Sequence, residues 1–163
     1  MALLCSMVAG AVEIEPGVSQ KLAEQRRAAV GNLCYDLKFR IPASRKEKVT
    51  GSAVIKFTYK KCGDDLQLDF QGADGQYGGV VTVNGKKRRA EWRSEHIILK
   101  ESWLKNGENA VDVAFTSGDK SLNRNEDYLY TLFVPDHARS VFPCFDQPDL
   151  KAVFKLKLDV PEG

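Results

Sequence analysis

His96 and His137 are the only two histidines in 163 residues, which leaves few places for metal or acid–base chemistry. A catalytic zinc takes three protein ligands, commonly paired on a helix as H-E-x-x-H. Neither histidine stands in that spacing: His96 sits beside Ile97 and Ile98 at a strand start, and His137 lies in the turn composition Pro135-Asp136-His137-Ala138. Both read as ordinary surface or internally satisfied histidines. Ser-His-Asp and Cys-His catalysis needs one histidine oriented by a third group, and nothing positively suggests such a grouping. There is no G-x-S-x-G, no P-loop and no glycine fingerprint. Gly78-Gly79 reads as turn punctuation. The sequence therefore offers no catalytic residue and no metal ligand of its own.

One short run does carry unusual chemistry. Arg139 and Asp146 bracket Phe142-Pro143-Cys144-Phe145, and Pro148 follows. Pro143 and Pro148 each fix φ and remove a backbone donor, so no regular ladder can cross the stretch. The structural reading is a sharp corner held by an Arg139–carboxylate clamp or by caps bonded to the backbone, with Phe142 and Phe145 in the core. Direct substrate contact by Arg139 and Asp146 is the alternative. Cys144, between two aromatics, reads as a small buried hydrophobe.

Composition excludes further classes. The chain is 43% hydrophobic and 28% charged with net charge +2, which leaves no electrostatic footprint for nucleic acid. The one basic cluster, Lys86-Lys87-Arg88-Arg89, follows the turn pair Asn84-Gly85 and reads as a solvated hairpin arm in preference to a binding patch. Met1 to Ala11 is apolar, too short to span a bilayer, and ends in the small-x-small pattern Ala9-Gly10-Ala11 of a signal-peptidase site. No Lys or Arg precedes Lys21, so the basic start of a signal peptide is missing. The expectation is a periplasmic or secreted protein without a membrane span; the cytoplasm is the alternative. With residues 1–11 removed, Cys34, Cys62 and Cys144 remain, an odd number without CxxC spacing, which argues against a disulfide framework and a zinc knuckle.

The elements that must carry the corner are mostly strands. Ser19 can cap a short helix over Gln20 to Val30, ended by Gly31, and its thin apolar face predicts a helix on the surface of something larger. From Leu33 the period is two: Leu33 to Ile41, Val49 to Tyr59, Leu66 to Phe70, Val111 to Phe115 and Phe154 to Val160 follow an alternating pattern, and Ile97 and Leu99 form a short strand. Val81 and Val83 lead into the Asn84-Gly85 turn, with Trp92 on the return arm. Tyr128 to Val134 is continuously apolar and predicts a strand covered on both faces. Ser117 to Asp127 is the longest loop candidate. The fold class is all-β, an antiparallel β-sandwich or saddle with one short N-terminal helix. Residues 1–11 form a leader, 12–32 a helical lead-in and 33–163 the β domain. That domain is expected to be truncated, because Gly163 comes three residues after a strand whose sheet wants a further partner.

Ala138 to Phe154 fits the order A-R-x-x-F-P-C-F-D-E/Q-P-x-x-K-A-x-F, and with it the sequence resembles the N-terminal domain of bacterial zinc aminopeptidases of the aminopeptidase N and leukotriene hydrolase kind, the gluzincins. Leu22 to Arg26, Asn32, Tyr35-Asp36-Leu37, Gly107 to Val111 and Tyr128 to Thr131 also fit, so the likeness covers most of Val18 to Pro161. The resemblance implies a β-saddle packed on a thermolysin-like catalytic domain of the same polypeptide. That catalytic domain holds zinc through H-E-x-x-H and a distant Glu, and the substrate amine through G-x-M-E-N. Neither motif occurs here. Many relatives carry S/T-Q-x-E/Q before the corner, whose second polar residue helps hold the amine of the peptide substrate. Here that segment is Thr131-Leu132-Phe133-Val134, so Leu132 and Val134 replace acceptors, and Asp136 is the nearest carboxylate that could substitute. The expectation is a non-catalytic part of an aminopeptidase, with no cofactor in this chain and zinc in the full-length enzyme. The rivals are a stand-alone β-sandwich binding peptide or glycan, and a structural interaction domain.

Overall fold

The period-two pattern that opens at Leu33 builds one face of a large sheet. The protein is described by a computed structural model covering residues 11–72, 77–125 and 128–161; apart from Ala11, the expected leader lies outside the described residues. In chain order the elements are α1 (Gln20–Ala29), β1 (Val30–Arg40), β2 (Thr50–Tyr59), β3 (Leu66–Asp69), β4 (Val80–Val83), β5 (Lys86–Arg89), β6 (Glu91–Arg93), β7 (His96–Leu99), β8 (Gly107–Thr116), β9 (Leu122–Arg124), β10 (Leu129–Thr131) and β11 (Ala152–Asp159).

A six-stranded sheet runs in the order β11-β1-β2-β8-β4-β5, a three-stranded sheet in the order β3-β7-β6, and β9 pairs with β10. Tyr35, Leu37, Ile55, Phe57, Val111 and Val113 of the large sheet share one core with Leu66, Leu68, Ile97 and Leu99 of the small one. Fully burying side chains of this size contributes about 1.5–3 kcal/mol each. β3 and β7 are buried at every position, unlike a strand with one wet face. The alternate residues Gln67, Asp69 and His96 are covered by α1 and the segment before it: Arg26 reaches Asp69, while Glu13 and Glu15 offer carbonyls to Gln67 and His96. Helix and lead-in thus form a third layer.

Several expectations need correction. The sheet is mixed, because β11 lies parallel to β1, with Phe154 opposite Tyr35 and Leu156 opposite Leu37. The corner and the segment before it carry the chain across the fold between β8 and β11, which a hairpin reading could not foresee. Gly31 does not end α1: the helix stops at Ala29, and Val30 donates to the Arg26 carbonyl while already extended. Trp92 is not on the return arm. That arm is β5; Trp92 belongs to β6 in the other sheet, where its indole Nε1 donates to the Phe70 carbonyl at 2.7 Å. The loop expected from Ser117 contains β9, and Ser117 and Ser121 are buried. Tyr128 to Val134 is not doubly covered: only Leu129–Thr131 is strand, and it is exposed throughout. An apolar run marks contact with something, but it does not say whether this domain supplies the contact.

Candidate functional site

The corner is pinned from inside by one carboxylate. Asp69 ends β3 fully buried; its Oδ2 accepts from Arg26 Nη1 at 2.8 Å and from the Asp146 backbone N–H at 2.8 Å, and its Oδ1 accepts from Arg26 Nη2 at 2.5 Å. Arg26 Nη2 also donates to the Gln67 carbonyl at 2.6 Å, and the guanidinium lies over the Phe145 ring at 5.4 Å. His96 Nδ1 stands 2.7 Å from Asp69 Oδ1, and its Nε2 is 2.9 Å from the Glu15 carbonyl. Burial pushes the Asp69 carboxyl up, but the Arg26 and His96 charges and hydrogen bonds outweigh it and hold the group below its ordinary value. A fork-to-carboxylate pair buried this way is fully satisfied on the acid side.

The corner uses that anchor through its backbone. Cys144 and Asp69 exchange N–H and C=O bonds at 2.9 and 3.0 Å, a single bridge where prolines forbid a ladder. The Phe145 N–H donates to the Tyr35 hydroxyl at 2.8 Å, and Gln147 Nε2 donates to the Ala23 carbonyl at 3.2 Å. Phe142, Cys144 and Phe145 are buried, as the sequence led one to expect, and burial pushes the Cys144 thiol well up. Gly118 donates to the Ser140 carbonyl at 2.9 Å, and a Cβ there would stand 2.4 Å from the Gly72 oxygen. Only glycine permits that approach.

Of the two ways the corner could be held, the structure shows caps bonded to backbone. Asp146 Oδ2 accepts from the Arg139 backbone N–H at 3.0 Å, while the Arg139 guanidinium turns away, donating from Nη2 to Asp136 at 2.8 Å with Nε 3.6 Å from Glu95. Burial raises the Asp146 carboxyl above its ordinary value despite that N–H bond. Pro143 and Pro148 bound the segment.

Immediately before the corner, the cleft candidates lie on the surface. Thr131 ends β10, Leu132 is 60% exposed and Val134 is 86% exposed. Asp136 is half exposed and held by Arg139, with His137 Nδ1 3.8 Å from its other oxygen. The structure brings Asp136 into one cluster with Arg139 and Glu95, and leaves Thr131, Leu132 and Val134 as an apolar-flanked ribbon. This arrangement offers a positioned carboxylate and no nucleophile–base pair among the described residues. The Arg26–Asp69–His96 node escaped sequence reasoning. Its one signal was an arginine between Leu22 and Ala29 on the apolar stripe of α1, which reads as a solvated residue until Asp69 is placed beneath it.

The Peptidase M1 N-terminal domain family matches residues 32–163 of this chain. The sequence is 32% identical over 115 residues to probable aminopeptidase 1 of Sulfurisphaera tokodaii, covering 66% of this chain and 14% of that protein. Over 77 residues it is 55% identical to aminopeptidase M1-A of Oryza sativa subsp. japonica, covering 40% of this chain and 9% of the relative. Among solved structures, native leukotriene A4 hydrolase from Saccharomyces cerevisiae matches with TM-score 0.65 and 23% identity over 83% of this chain and 24% of its own. The M1 zinc metallopeptidase of Deinococcus radiodurans matches with TM-score 0.64 and 18% identity over 82% of this chain and 33% of its own. The structural likenesses show the fold, and in each comparison this chain spans a minor part of the relative.

Proposed function

The chain belongs to the Peptidase M1 N-terminal domain family, and from that premise we propose that it is the non-catalytic N-terminal domain of a zinc-dependent aminopeptidase acting on peptides. It supplies part of the substrate-cleft wall and a docking face for the catalytic domain of the same polypeptide. The observation that carries this reading is the corner. Its buried anchor ties down Arg139 to Phe145, and just before it Phe133 packs against the core while Leu132 and Val134 stay exposed, so this ribbon is held in place with those two side chains uncovered. The relatives are named as aminopeptidases, which favours this reading over a stand-alone module for peptide or glycan.

Zinc, named in the Deinococcus structures, does not fit the residues present. No group of three or more His, Cys, Asp or Glu among the described residues could hold a metal ion. The buried His96–Asp69 pair has its carboxylate committed to Arg26 and the Asp146 N–H. In this reading the metal belongs to the rest of the polypeptide, and this domain acts by shaping the cleft.

The test is Val134→Glu in the full-length protein. Val134 is 86% exposed, so a glutamate there meets water and not core. If the ribbon lines the amine end of the cleft, the new carboxylate should lower KM for free-amine substrates by a charge-assisted bond of about 1.5–3 kcal/mol, and do nothing for acetylated ones. A stable variant with unchanged KM overturns the placement. We also propose export, supported by the small-x-small pattern at Ala9-Gly10-Ala11. N-terminal sequencing of the mature protein checks it, and an intact Met1 in a cytoplasmic fraction refutes it.

A further inference from the structure

An apolar trough of about 640 Å³ between β11 and the β10 segment lies on the core side of the large sheet. The solvent side carries a different hollow, of about 720 Å³, which the proposed function leaves without a role. Ala53, Ile55, Val111 and Val113 of β2 and β8 turn into the core, so the residues between them face water. Ser52, Ala114 and Thr116 line the middle of the hollow, and Lys38, Arg40 and Lys157 stand at one end. Lys157, Lys38, Ser52 and Ala114 follow one another across β11, β1, β2 and β8 in direct register. Lys38 therefore faces Lys157 on the adjacent strand, a like-charge pair that costs stability unless an anion neutralises it. Among the described residues, the Lys and Arg ion pairs engage Arg26, Lys48, Arg93, Lys100 and Arg139, and not Lys38, Arg40 or Lys157. Asp159 stands opposite Arg40 in register without closing such a pair. At the far side of the same face Arg89 lies opposite the exposed Val80, while its neighbour Arg88 turns back over the Trp103 ring at 5.9 Å.

We propose that this face is a docking groove for an acidic, extended segment of another protein, lying across the strands. β1 and β5 are four strand spacings apart, about 19 Å, which an extended chain covers in about six residues. The segment places carboxylates over Lys38, Arg40 and Lys157 and another one about six residues on, over Arg89, with small polar residues between them above Ser52 and Thr116. Carboxylates meeting unpaired cations select the partner and speed its encounter. A polyphosphate chain or an anionic bilayer fits less well. Asp36, Asp112 and Asp159 interrupt the face with negative charge, which a peptide can meet with neutral residues and a continuous row of phosphates cannot. A flat bilayer does not reach into the recessed middle. The inference goes beyond the peptidase reading and does not depend on it.

Binding to the full-length protein tests this. The probe is an acetylated, fluorescein-labelled peptide of about eight residues, with glutamates at both ends and Gly-Ser repeats between, followed by fluorescence anisotropy. It should bind at low salt, weaken as salt rises, and lose its affinity when glutamine replaces glutamate. Lys38→Glu should weaken the complex about tenfold or more while keeping or raising the melting temperature, because it sets opposite charges across β1 and β11. Lys157→Glu should do the same. Lys86→Glu changes the net charge equally, but Lys86 lies opposite the buried Val83 on the other side of the β4–β5 hairpin, so affinity should stay within about twofold. No binding by the wild-type protein, or an equal loss with Lys86→Glu, overturns the proposal. So does tighter binding of inorganic polyphosphate or phosphatidylglycerol vesicles than of the peptide, or a wild-type dimer that Lys38→Glu dissolves.

Discussion

Asp69 joins α1, β3, β7 and the corner at one buried point. Replacing it with Ala leaves Arg26 buried and uncompensated, which should cost about 3–5 kcal/mol and show as a large loss in thermal or urea unfolding. Its pH signature follows from its depressed folded-state pKa. The stability it contributes is complete above the unfolded carboxylate value, near 3.9, and is lost as pH falls through the lower folded value. Asp146 has the opposite sign. Its raised folded pKa means that its contribution is present below the unfolded value and is lost as pH rises through the folded one. Asp146→Ala should still cost about 1–3 kcal/mol, because it orphans the Arg139 N–H. Asp146→Asn, which keeps an acceptor and removes a poorly solvated charge, should cost clearly less at neutral pH. Equal melting temperatures for the two variants would contradict this account.

At the scale of elements, local chemistry and long-range contact decide different things. The β4–β5 turn is local: Asn84 and Gly85 both take positive φ, at 50° and 79°, as the Asn-Gly pair led one to expect. The corner depends on distant backbone. Gly118→Ala would press a methyl against the Gly72 and Ser140 carbonyls, which cannot rotate away as a side chain could, and should destabilise by about 1–3 kcal/mol in equilibrium unfolding. An unchanged midpoint would mean that the corner floats free of the β8–β9 connection. The role of α1 was legible only in part. Ser19 caps it through the Leu22 N–H, as read from sequence, but the helix is fastened by the buried Arg26 as well as by Leu22 and Ala29 of its thin apolar face.

At the scale of the molecule, the purified 163-residue chain should carry no stoichiometric zinc after chelator washing, because its histidines and carboxylates form no ligand set among the described residues. One tightly held zinc per chain by metal analysis would contradict the assignment of the metal to the rest of the polypeptide. The exposed ribbon before the corner and the trough beside β11 are both apolar surfaces that this domain does not cover itself. Exposed apolar surfaces of that kind mark contact with something else.

Sequence alone determined the strand-rich class, most strand positions, the capped helix, the turn at Asn84-Gly85 and the burial of Phe142, Cys144 and Phe145, because each is written in local periodicity or in the fixed φ of proline and the freedom of glycine. Its family resemblance was legible in the run from Ala138 to Phe154. Only the tertiary structure decided that β11 runs parallel to β1, that Tyr128 to Leu132 and Val134 are exposed, and that Arg26, Asp69 and His96 meet beneath the corner. Those facts depend on contacts between residues distant in the chain, as with the 43 positions separating Arg26 from Asp69. A charge on a helix reads as solvated, and an apolar run as covered, until the rest of the chain says what stands opposite them.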